Sequence, residues 1–296
     1  MKVLIVGGGG MIGSHAAAHL AGLGHDISVS ARTARPGGAY PQVVGDYVAR
    51  SFRADQLAPF DAVVFAAGQD VRHKRAGQDE AEFWRATQIE GVPAFARLAR
   101  EAGVRRFVQI GSYYHQVMPQ LADTNRYVRA RQLADEGSRA LAADGFNVST
   151  LNPPSIVGTI PGPSTERYRG LVEWARGEKP GVPDFAPAGG TNYLSARSLA
   201  QAIAGALDHA ESGRAYLVGD ENLAYREFFQ RIFDATGSTR TLESRDEPHP
   251  MLPDNYIIHG RGVTLAYAAE ESRRRLGYET SDIRRAIDEI VARIDA

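Results

Sequence analysis

Three side chains near the middle of the chain have the types and spacing for proton transfer at an oxygen atom. Ser112 follows an apolar run that ends at Ile110, and Tyr127 and Arg131 lie four residues apart in a helical pattern. This spacing places both side chains on one face of a helix. A fixed cation beside a tyrosine favours the phenolate, so we expect Tyr127 to exchange a proton with a carbinol or carbonyl oxygen that Ser112 orients. The alternative is that Tyr127 only packs against a sheet.

A second feature, at the start of the sequence, is typical of a site for a phosphate-containing cofactor. The apolar run Val3–Val6 predicts a buried strand, the four glycines Gly7–Gly10 follow it, and Met11, Ile12 and Gly13 open a helical pattern. Glycine permits a sharp turn and the close approach of a pyrophosphate, and the free N–H groups of a helix start attract the anion. The order strand, glycine turn, helix predicts a dinucleotide site. The alternative is a tight turn without a ligand.

Strands and helices alternate through the first half of the chain. The apolar runs predict strands at Lys2–Val6, Asp26–Ser30, Gln42–Val44, Ala62–Ala66, Arg106–Ile110 and Asn147–Leu151. Helical patterns lie between them at Ile12–Gly22, Phe83–Ala102 and Tyr127–Ala143. This alternation predicts an α/β fold with a doubly wound parallel sheet, the Rossmann fold. Ligands of such sheets bind beyond the carboxyl ends of the strands, where the candidates above lie.

The character of the sequence changes after residue 152, where prolines and glycines become dense up to residue 191. Helices are predicted at Glu166–Arg176, Ser195–Asp208, Tyr225–Ala235 and Ser281–Ile294, with a strand at Ala215–Val218. We therefore expect a dinucleotide-binding Rossmann domain over residues 1–155, to which residues 191–218 return. Residues 156–190 and 219–296 are expected to form a smaller C-terminal lobe that binds the substrate.

Composition excludes several classes of function. The 296 residues carry a net charge of −1, which gives no reason to expect nucleic acid or an anionic membrane as a partner. The chain has no cysteine, so disulfides, thiolate zinc sites and cysteine nucleophiles are excluded, and its scattered histidines predict no metal site. Since neither a signal peptide nor a run of 18 apolar residues is found, we expect a cytoplasmic protein that acts on a small molecule.

The residue after the second strand distinguishes the two nicotinamide coenzymes. In NAD-binding sheets an acid at this place usually binds the ribose 2′-hydroxyl. Here Arg32 stands there, and Asp26 lies at the opposite end of the strand. A guanidinium pairs well with a 2′-phosphate, and Arg35 can assist, so the sequence favours NADP over NAD. The alternative is that Arg32 is a solvated loop residue.

Several short motifs occur in a characteristic order along nearly the whole chain. Besides the glycine turn they are Gly45-Asp46, Asp61–Gly68, Glu90-Gly91, Ala102–Ser112, Asn152–Gly158, Tyr225–Phe228 and Arg275–Tyr278. In this order the chain resembles the extended short-chain dehydrogenase/reductase superfamily, in its epimerase/dehydratase-like branch. The resemblance implies Tyr127 as acid/base with Ser112 as its partner.

The resemblance also implies which residues contact the cofactor. Gly7, Gly10, Met11, Ile12, Gly13 and Arg32 would hold its adenosine side and phosphates, Asp46 its adenine, and Ala66, Ala67 and Gly68 its ribose. Pro154 and Ile156 would lie beside the nicotinamide, with Ile110, Tyr127 and Arg131 as further contacts. In such proteins the helices predicted at 83–102 and 127–143 often form a homodimer interface.

The chain departs from the family pattern at several positions. The family pair is Tyr-x-x-x-Lys, whereas Arg131 stands here in place of the lysine, and its planar fork differs in geometry from an ammonium group. Asn152 stands where an arginine is common, and Arg197 where an aspartate often begins a helix. Further candidates for proton transfer follow the serine directly, at Tyr113, Tyr114 and His115. The basic run Arg72–Arg75 is either a binding site for an anionic substrate or a solvated loop.

These observations favour an NADP-dependent oxidoreductase that transfers a hydride between the nicotinamide and a carbonyl or alcohol carbon, with Tyr127 as acid/base. One alternative is a nucleotide-sugar epimerase or dehydratase on the same scaffold. Another is a redox sensor that binds NADP(H) without turnover, which the arginine at position 131 motivates.

Overall fold

A computed structural model describes residues 1–34, 37–70, 73–160 and 166–296 of the chain. Its strands are β1 Lys2–Val6, β2 Asp26–Ala31, β3 Gln42–Val44, β4 Ala62–Phe65, β5 Arg106–Ile110, β6 Asn147–Asn152, β7 Ser155–Val157, β8 Phe185–Pro187, β9 Gly190–Ser195, β10 Arg214–Leu217, β11 Glu221–Ala224, β12 Glu243–Arg245 and β13 Thr264–Leu265. Its α-helices are α1 Met11–Gly22, α2 Ala54–Leu57, α3 Glu80–Trp84, α4 Gly91–Glu101, α5 Tyr114–Val117, α6 Leu121–Thr124, α7 Arg126–Arg139, α8 Glu166–Ala175, α9 Ala196–His209, α10 Tyr225–Ala235, α11 Glu270–Leu276 and α12 Ile283–Asp295.

The chain divides into two compact units. Unit 1 comprises residues 1–153, 199–218 and 270–278, and unit 2 comprises 154–198, 219–269 and 279–296. This division and the one expected from sequence place residues 154–155, 191–198 and 270–278 differently. Strand β9 pairs with β7, β11 and β13, all of them in unit 2. Helix α11 approaches α9 so closely that a Cβ atom on Gly205 would lie 1.9 Å from the Leu276 carbonyl oxygen.

Unit 1 is built on a seven-stranded sheet in the order β10-β6-β5-β4-β1-β2-β3. Every neighbouring pair is parallel. This arrangement confirms the predicted α/β fold with a doubly wound parallel sheet. The chain runs outward from β1 to β3 and then returns to β4 on the other side of β1. Ligands bind at such a switch point, beyond the carboxyl ends of β1 and β4.

The helix predicted over Phe83–Ala102 is interrupted, so that part of the prediction is wrong. Between α3 and α4 the chain forms one π-helical turn, Arg85–Ile89, in which Glu90 N–H donates to the Arg85 carbonyl at 2.9 Å. The Thr87 hydroxyl donates to the Phe83 carbonyl at 2.6 Å and so competes with the helical bonding pattern. Pro93 has no N–H to continue that pattern. Such turns often occur at functional sites.

Unit 2 contains a four-stranded sheet that the sequence did not predict. Strand β9 lies at its centre, and all six of its residues are buried although three of them are Thr, Asn and Ser. At the end of β9, Ser195 Oγ accepts the Ser198 N–H at 2.9 Å, and the Asp282 carboxylate accepts the Ser195 hydroxyl at 2.7 Å. Asp282 thus supplies an acid at the helix start where Arg197 replaces the family's aspartate.

No helix in the described part of the chain is long and apolar enough to cross a membrane.

Candidate functional site

Three glycines of the turn after β1 have no room for a side chain. Gly7 has a φ of 91°, and a Cβ atom there would lie 2.8 Å from the Ala66 backbone at the end of β4. A Cβ atom on Gly13 would lie 2.3 Å from the Gly7 carbonyl oxygen, and one on Gly8 would lie 2.5 Å from Val29 Cγ1. The turn therefore packs tightly against β4, β2 and the start of α1.

The start of α1 is open to an anion. Gly10 is its N-cap residue and has no side chain to accept the first N–H groups, and the first turn carries no acid. Met11 and Gly13 are buried, and Ile12 is half-buried. Uncapped N–H groups at a helix N-terminus bind phosphate well. The tight turn and this helix start together fit the diphosphate of a dinucleotide.

The loops after β2 and β3 carry the residues expected near the adenosine. Arg32 is exposed directly after β2, and within the described residues no carboxylate forms an ion pair with it. Arg35 lies outside the described residues. Asp46 is half-buried, and its carboxylate accepts the Val48 N–H at 2.8 Å.

A buried tyrosine holds the segment that follows β4. The Tyr47 hydroxyl donates to the Thr87 carbonyl at 3.1 Å, with the Ala67 carbonyl at 3.4 Å. Burial raises the pKa of Tyr47 above its ordinary value, although the nearby Arg131 opposes the rise. Gly68 N–H donates to the Ala66 carbonyl at 3.0 Å. Sequence reasoning missed Tyr47, which positions the residues expected to line the ribose.

Arg131 connects the end of β5 and the π-helical turn to α7. Its guanidinium is buried, and Nη2 donates to the Ile110 carbonyl at 2.9 Å and also to the Gly111 carbonyl. Nη1 donates to Gln88 Oε1 at 3.4 Å, and a Cβ atom on Gly68 would lie 3.5 Å from Nη1. The structure thus brings Arg131 together with Ile110 and Gly68, two of the cofactor contacts expected from the sequence.

Gln88 was missed by sequence reasoning. It lies in the π-helical turn, is buried, and donates through Nε2 to the Gln69 carbonyl at 3.0 Å. Its amide therefore bridges the loop after β4 to Arg131. Nothing in the local sequence pattern indicated that Gln88 is buried or which residue is its partner.

Tyr127 lies in the first turn of α7, one turn before Arg131. The Asn125 side chain caps this helix by accepting the Val128 N–H at 3.2 Å. The tyrosine ring is half-buried, with ring centroids of Trp84 at 5.4 Å and Tyr114 at 6.3 Å. Tyr127 thus packs against two other aromatic rings.

Ser112 is buried at the end of β5, and its N–H donates to Asn152 Oδ1 at 2.9 Å. Asn152 is the last residue of β6, and Asp135 on α7 lies within reach of its side chain, at 3.4 Å from Nδ2. Ser112 and Tyr127 thus lie on two segments, the end of β5 and α7, which the contacts of Arg131 and Asp135 tie together.

Asp135 lies at the centre of a buried charged cluster. His115 Nε2 lies 3.0 Å from Asp135 Oδ2, and Arg139 Nε lies 2.6 Å from Oδ1. Burial by itself raises the pKa of Asp135, but the bonds from His115 and Arg139 outweigh it and lower that pKa to about 2. Asp135 is therefore ionised, and one nitrogen of His115 is committed to it.

The remaining candidates belong to unit 2 or to the basic run after β4. Pro154 and Ile156 belong to unit 2, where the Tyr168 hydroxyl donates to the Ile156 carbonyl at 3.1 Å. Of the basic run, Arg72 lies outside the described residues, and the exposed His73 pairs with Asp70 at 3.1 Å. Among the residues described, no group of three or more His, Asp or Glu side chains could hold a metal ion.

The model of the NAD dependent epimerase/dehydratase family matches residues 3–219. The chain belongs to this family. The resemblance stated from the sequence motifs is confirmed, and membership makes the chain an NAD(P)-dependent enzyme of the epimerase/dehydratase type. A search of curated proteins found no match.

Solved structures share the fold at low identity. MoeE5 in complex with UDP-glucose and NAD is 18% identical, with a TM-score of 0.74 over 100% of this chain and 99% of that one. The UDP-glucose-4-epimerase of Stenotrophomonas maltophila with bound NAD is 20% identical, with a TM-score of 0.71 over 100% and 99%. The human epimerase family protein SDR39U1 with NADPH is 18% identical, with a TM-score of 0.70 over 99% of both chains.

Proposed function

We propose that this enzyme uses a nicotinamide coenzyme to interconvert a carbonyl and an alcohol on a small molecule, with Tyr127 as the acid/base. The observation that carries the proposal is the bridge formed by Arg131, whose guanidinium binds the carbonyls of Ile110 and Gly111. This bridge ties the helix that carries Tyr127 to the strand end that carries Ser112. A tyrosine and a serine anchored in this way can act on one substrate oxygen.

The proposed coenzyme site lies at the switch point of the sheet, beyond the carboxyl ends of β1 and β4. The turn of Gly7 and the α1 start from Gly10 to Gly13 would hold the diphosphate. Asp46 would contact the adenine, and the segment Ala66–Gly68 would line the ribose. Arg32 has an exposed guanidinium and no ion-pair partner among the described residues, which supports NADP. The solved structures of similar fold carry either NAD or NADPH, so the choice of NADP rests on Arg32 alone.

The chain's own groups would handle the proton. In reduction, the Tyr127 hydroxyl donates its proton to the substrate oxygen, and in oxidation the phenolate accepts it. Ser112 donates a hydrogen bond that orients the same oxygen, and Arg131 holds the strand end that carries Ser112. The bound nicotinamide supplies the hydride acceptor or donor. Pro154 and Ile156 are proposed to lie beside it, as the family resemblance implies.

A second candidate is epimerisation or dehydration of a nucleotide sugar. It is favoured by the family match and by two of the similar solved structures, which hold UDP-glucose and a formylated UDP-arabinopyranose, respectively. Tyr127 would then remove a proton from a sugar hydroxyl and return it. The two candidates share the residues of the proton step and differ in the substrate.

The test compares both substrate classes on one protein preparation. NADPH and NADH oxidation is followed by absorbance with a panel of ketones and aldehydes, and UDP-glucose and UDP-galactose are incubated with NAD and separated by chromatography. Whichever reaction is found, Tyr127→Phe should lower kcat by about 10²-fold or more. The exposed Tyr256→Phe is the matched control. Full activity of Tyr127→Phe contradicts the proposal, and coenzyme binding without any turnover indicates a redox sensor.

A further inference from the structure

One peptide group of the site is held on both of its sides. The Gly111 carbonyl accepts from Arg131 Nη2, and the N–H of the same peptide, on Ser112, donates to Asn152 Oδ1 at 2.9 Å. The two side chains that hold it are buried. They also stand at two of the positions where the chain departs from its family, one in place of a lysine and the other in place of an arginine.

Close packing leaves no room for a side chain at Gly111. A Cβ atom on Gly111 would lie 1.8 Å from Asn152 Oδ1 and 2.8 Å from Thr150 Cγ2. Only glycine allows the Asn152 amide to lie against the backbone here. The glycine before Ser112 is therefore required by the contact with Asn152.

The orientation of the Asn152 amide is fixed by its other partners. Its Nδ2 donates to Gln116 Oε1 at 2.9 Å and to Asp135 Oδ2 at 3.4 Å. An ionised carboxylate can only accept, so the amide nitrogen must face Asp135 and the amide oxygen must face Ser112. Asp135 is in turn held by Arg139 and His115.

The same helix contributes both ends of this arrangement. Arg131 and Asp135 are one turn apart on α7, and they reach β5 and β6 respectively. Tyr127 lies one turn before Arg131. The position of Ser112 relative to Tyr127 is thus set through the peptide that Arg131 and Asn152 hold.

We propose that Asn152 is a positioning residue that acts together with Arg131 as a clamp on the Gly111–Ser112 peptide, and that this clamp sets Ser112 for the proton step at Tyr127. The expected effect of the clamp on catalysis rests on the proposed function. A lysine cannot replace Arg131 in it, because one ammonium group on a flexible stem lacks the planar fork that reaches two carbonyls and Gln88 together.

An exchange of side chains between two positions tests the clamp. Asn152→Asp puts a carboxylate beside that of Asp135, so repulsion should displace the oxygen that accepts the Ser112 N–H. Adding Asp135→Asn restores the hydrogen bond between the two positions, with the amide at 135 as donor and the carboxylate at 152 as acceptor. We expect Asn152→Asp to lower kcat roughly tenfold or more with KM and coenzyme Kd unchanged, because small misplacements of catalytic groups are costly. The double variant should regain kcat to within about threefold of wild type, because contacting residues couple strongly.

A second measurement needs no substrate. Hydrogen exchange of the Ser112 amide, observed by NMR, should be faster in Asn152→Asp than in wild type, and slow again in the double variant. If no substrate is turned over by wild type, the proposed function fails, and this measurement alone decides on the clamp. The clamp is overturned if the Ser112 amide exchanges at the wild-type rate in Asn152→Asp. It is also overturned if the double variant is no more active than Asn152→Asp and its Ser112 amide exchanges just as fast.

A third variant covers the case in which Asn152→Asp does not fold. Arg131→Lys keeps the charge but loses the fork, and should lower kcat roughly tenfold and speed exchange of the Ser112 amide. The matched control is Arg129→Lys on the exposed face of α7, which should behave as wild type. Arg131→Lys with wild-type kcat and wild-type exchange overturns the clamp.

Discussion

At the scale of single residues, the turn after β1 offers a matched pair of glycines. A Cβ atom on Gly13 would lie 2.3 Å from the Gly7 carbonyl oxygen, whereas one on Gly9 meets nothing within 4 Å. We expect Gly13→Ala to displace the turn and raise the coenzyme Kd about tenfold or more, because overpacking costs about 1–3 kcal/mol. Gly9→Ala should bind as wild type. Fluorescence titration with NADPH measures both, and equal affinities for the two variants contradict the assignment of the turn.

A second prediction concerns the choice of coenzyme. Arg32 is exposed at the end of β2, where a charged hydrogen bond to a 2′-phosphate contributes about 1.5–3 kcal/mol. Arg32→Ala should therefore raise the Kd of NADPH by roughly 10- to 100-fold and leave that of NADH unchanged. Calorimetry with the two coenzymes measures this, with the exposed Arg97→Ala on α4 as control. An equal loss for both coenzymes would show that Arg32 does not distinguish them.

The sequence predicted some of these residues and could not predict others, for a physical reason. Tyr127 and Arg131 were found because a spacing of four on a helix is a local signal. Gln88 and Asn152 act through partners 43 and 40 residues away, on Arg131 and Ser112. Only the folded sheet brings such pairs together, so no local pattern points to them.

At the scale of elements, the strands were predicted better than the helices between them. The bounds of β1, β3 and β5 agree with the prediction. In β1 and β5, where four of five residues are buried, the apolar run is the expected signal, whereas β3 is a partly exposed edge strand. The π-helical turn after α3 was missed, since amphipathic periodicity does not register one inserted residue. Strand β9 was missed because its buried polar residues imitate a loop.

The anchoring of α7 predicts a dependence of stability on pH. The Asp135 pKa lies near 2 in the folded chain, below the value of about 4 in an unfolded one. The contribution of the Asp135 carboxylate to the free energy of unfolding is therefore complete above pH 4 and is lost as the pH falls through 2. The pKa shift corresponds to about 2 kcal/mol. Asp135→Asn should lower the free energy of unfolding at pH 7 by about that amount and flatten its decline between pH 4 and 2. Urea unfolding measures both, and an equally steep decline in the variant contradicts the prediction.

At the scale of the whole molecule, the two units differ in what fills their cores. Unit 1 packs phenylalanines beneath a parallel sheet, as with Phe65 and Phe95, whose ring centroids are 5.5 Å apart. Unit 2 buries histidines among its aromatic residues. The ring centroid of His249 lies 4.9 Å from the ring centroids of both Trp174 and Phe185. A buried imidazole can titrate, so the stability of the chain should respond to mild acid through unit 2.

The response has a definite sign. Burial lowers the pKa of His249 and His259 below 6.5, although bonds to the Pro183 and Gly190 carbonyls oppose the shift. As the pH falls below 6.5, the unfolded chain therefore binds protons at these histidines more readily than the folded chain does. The contribution of the two neutral imidazoles to the free energy of unfolding is complete above that pH and declines below it. His249→Gln should show a smaller decline in the free energy of unfolding between pH 7 and 5 than wild type, and the exposed His209→Gln should show the same decline as wild type. Urea unfolding at both pH values measures this. Parallel profiles for wild type and His249→Gln would mean that this imidazole titrates alike in the folded and unfolded chains.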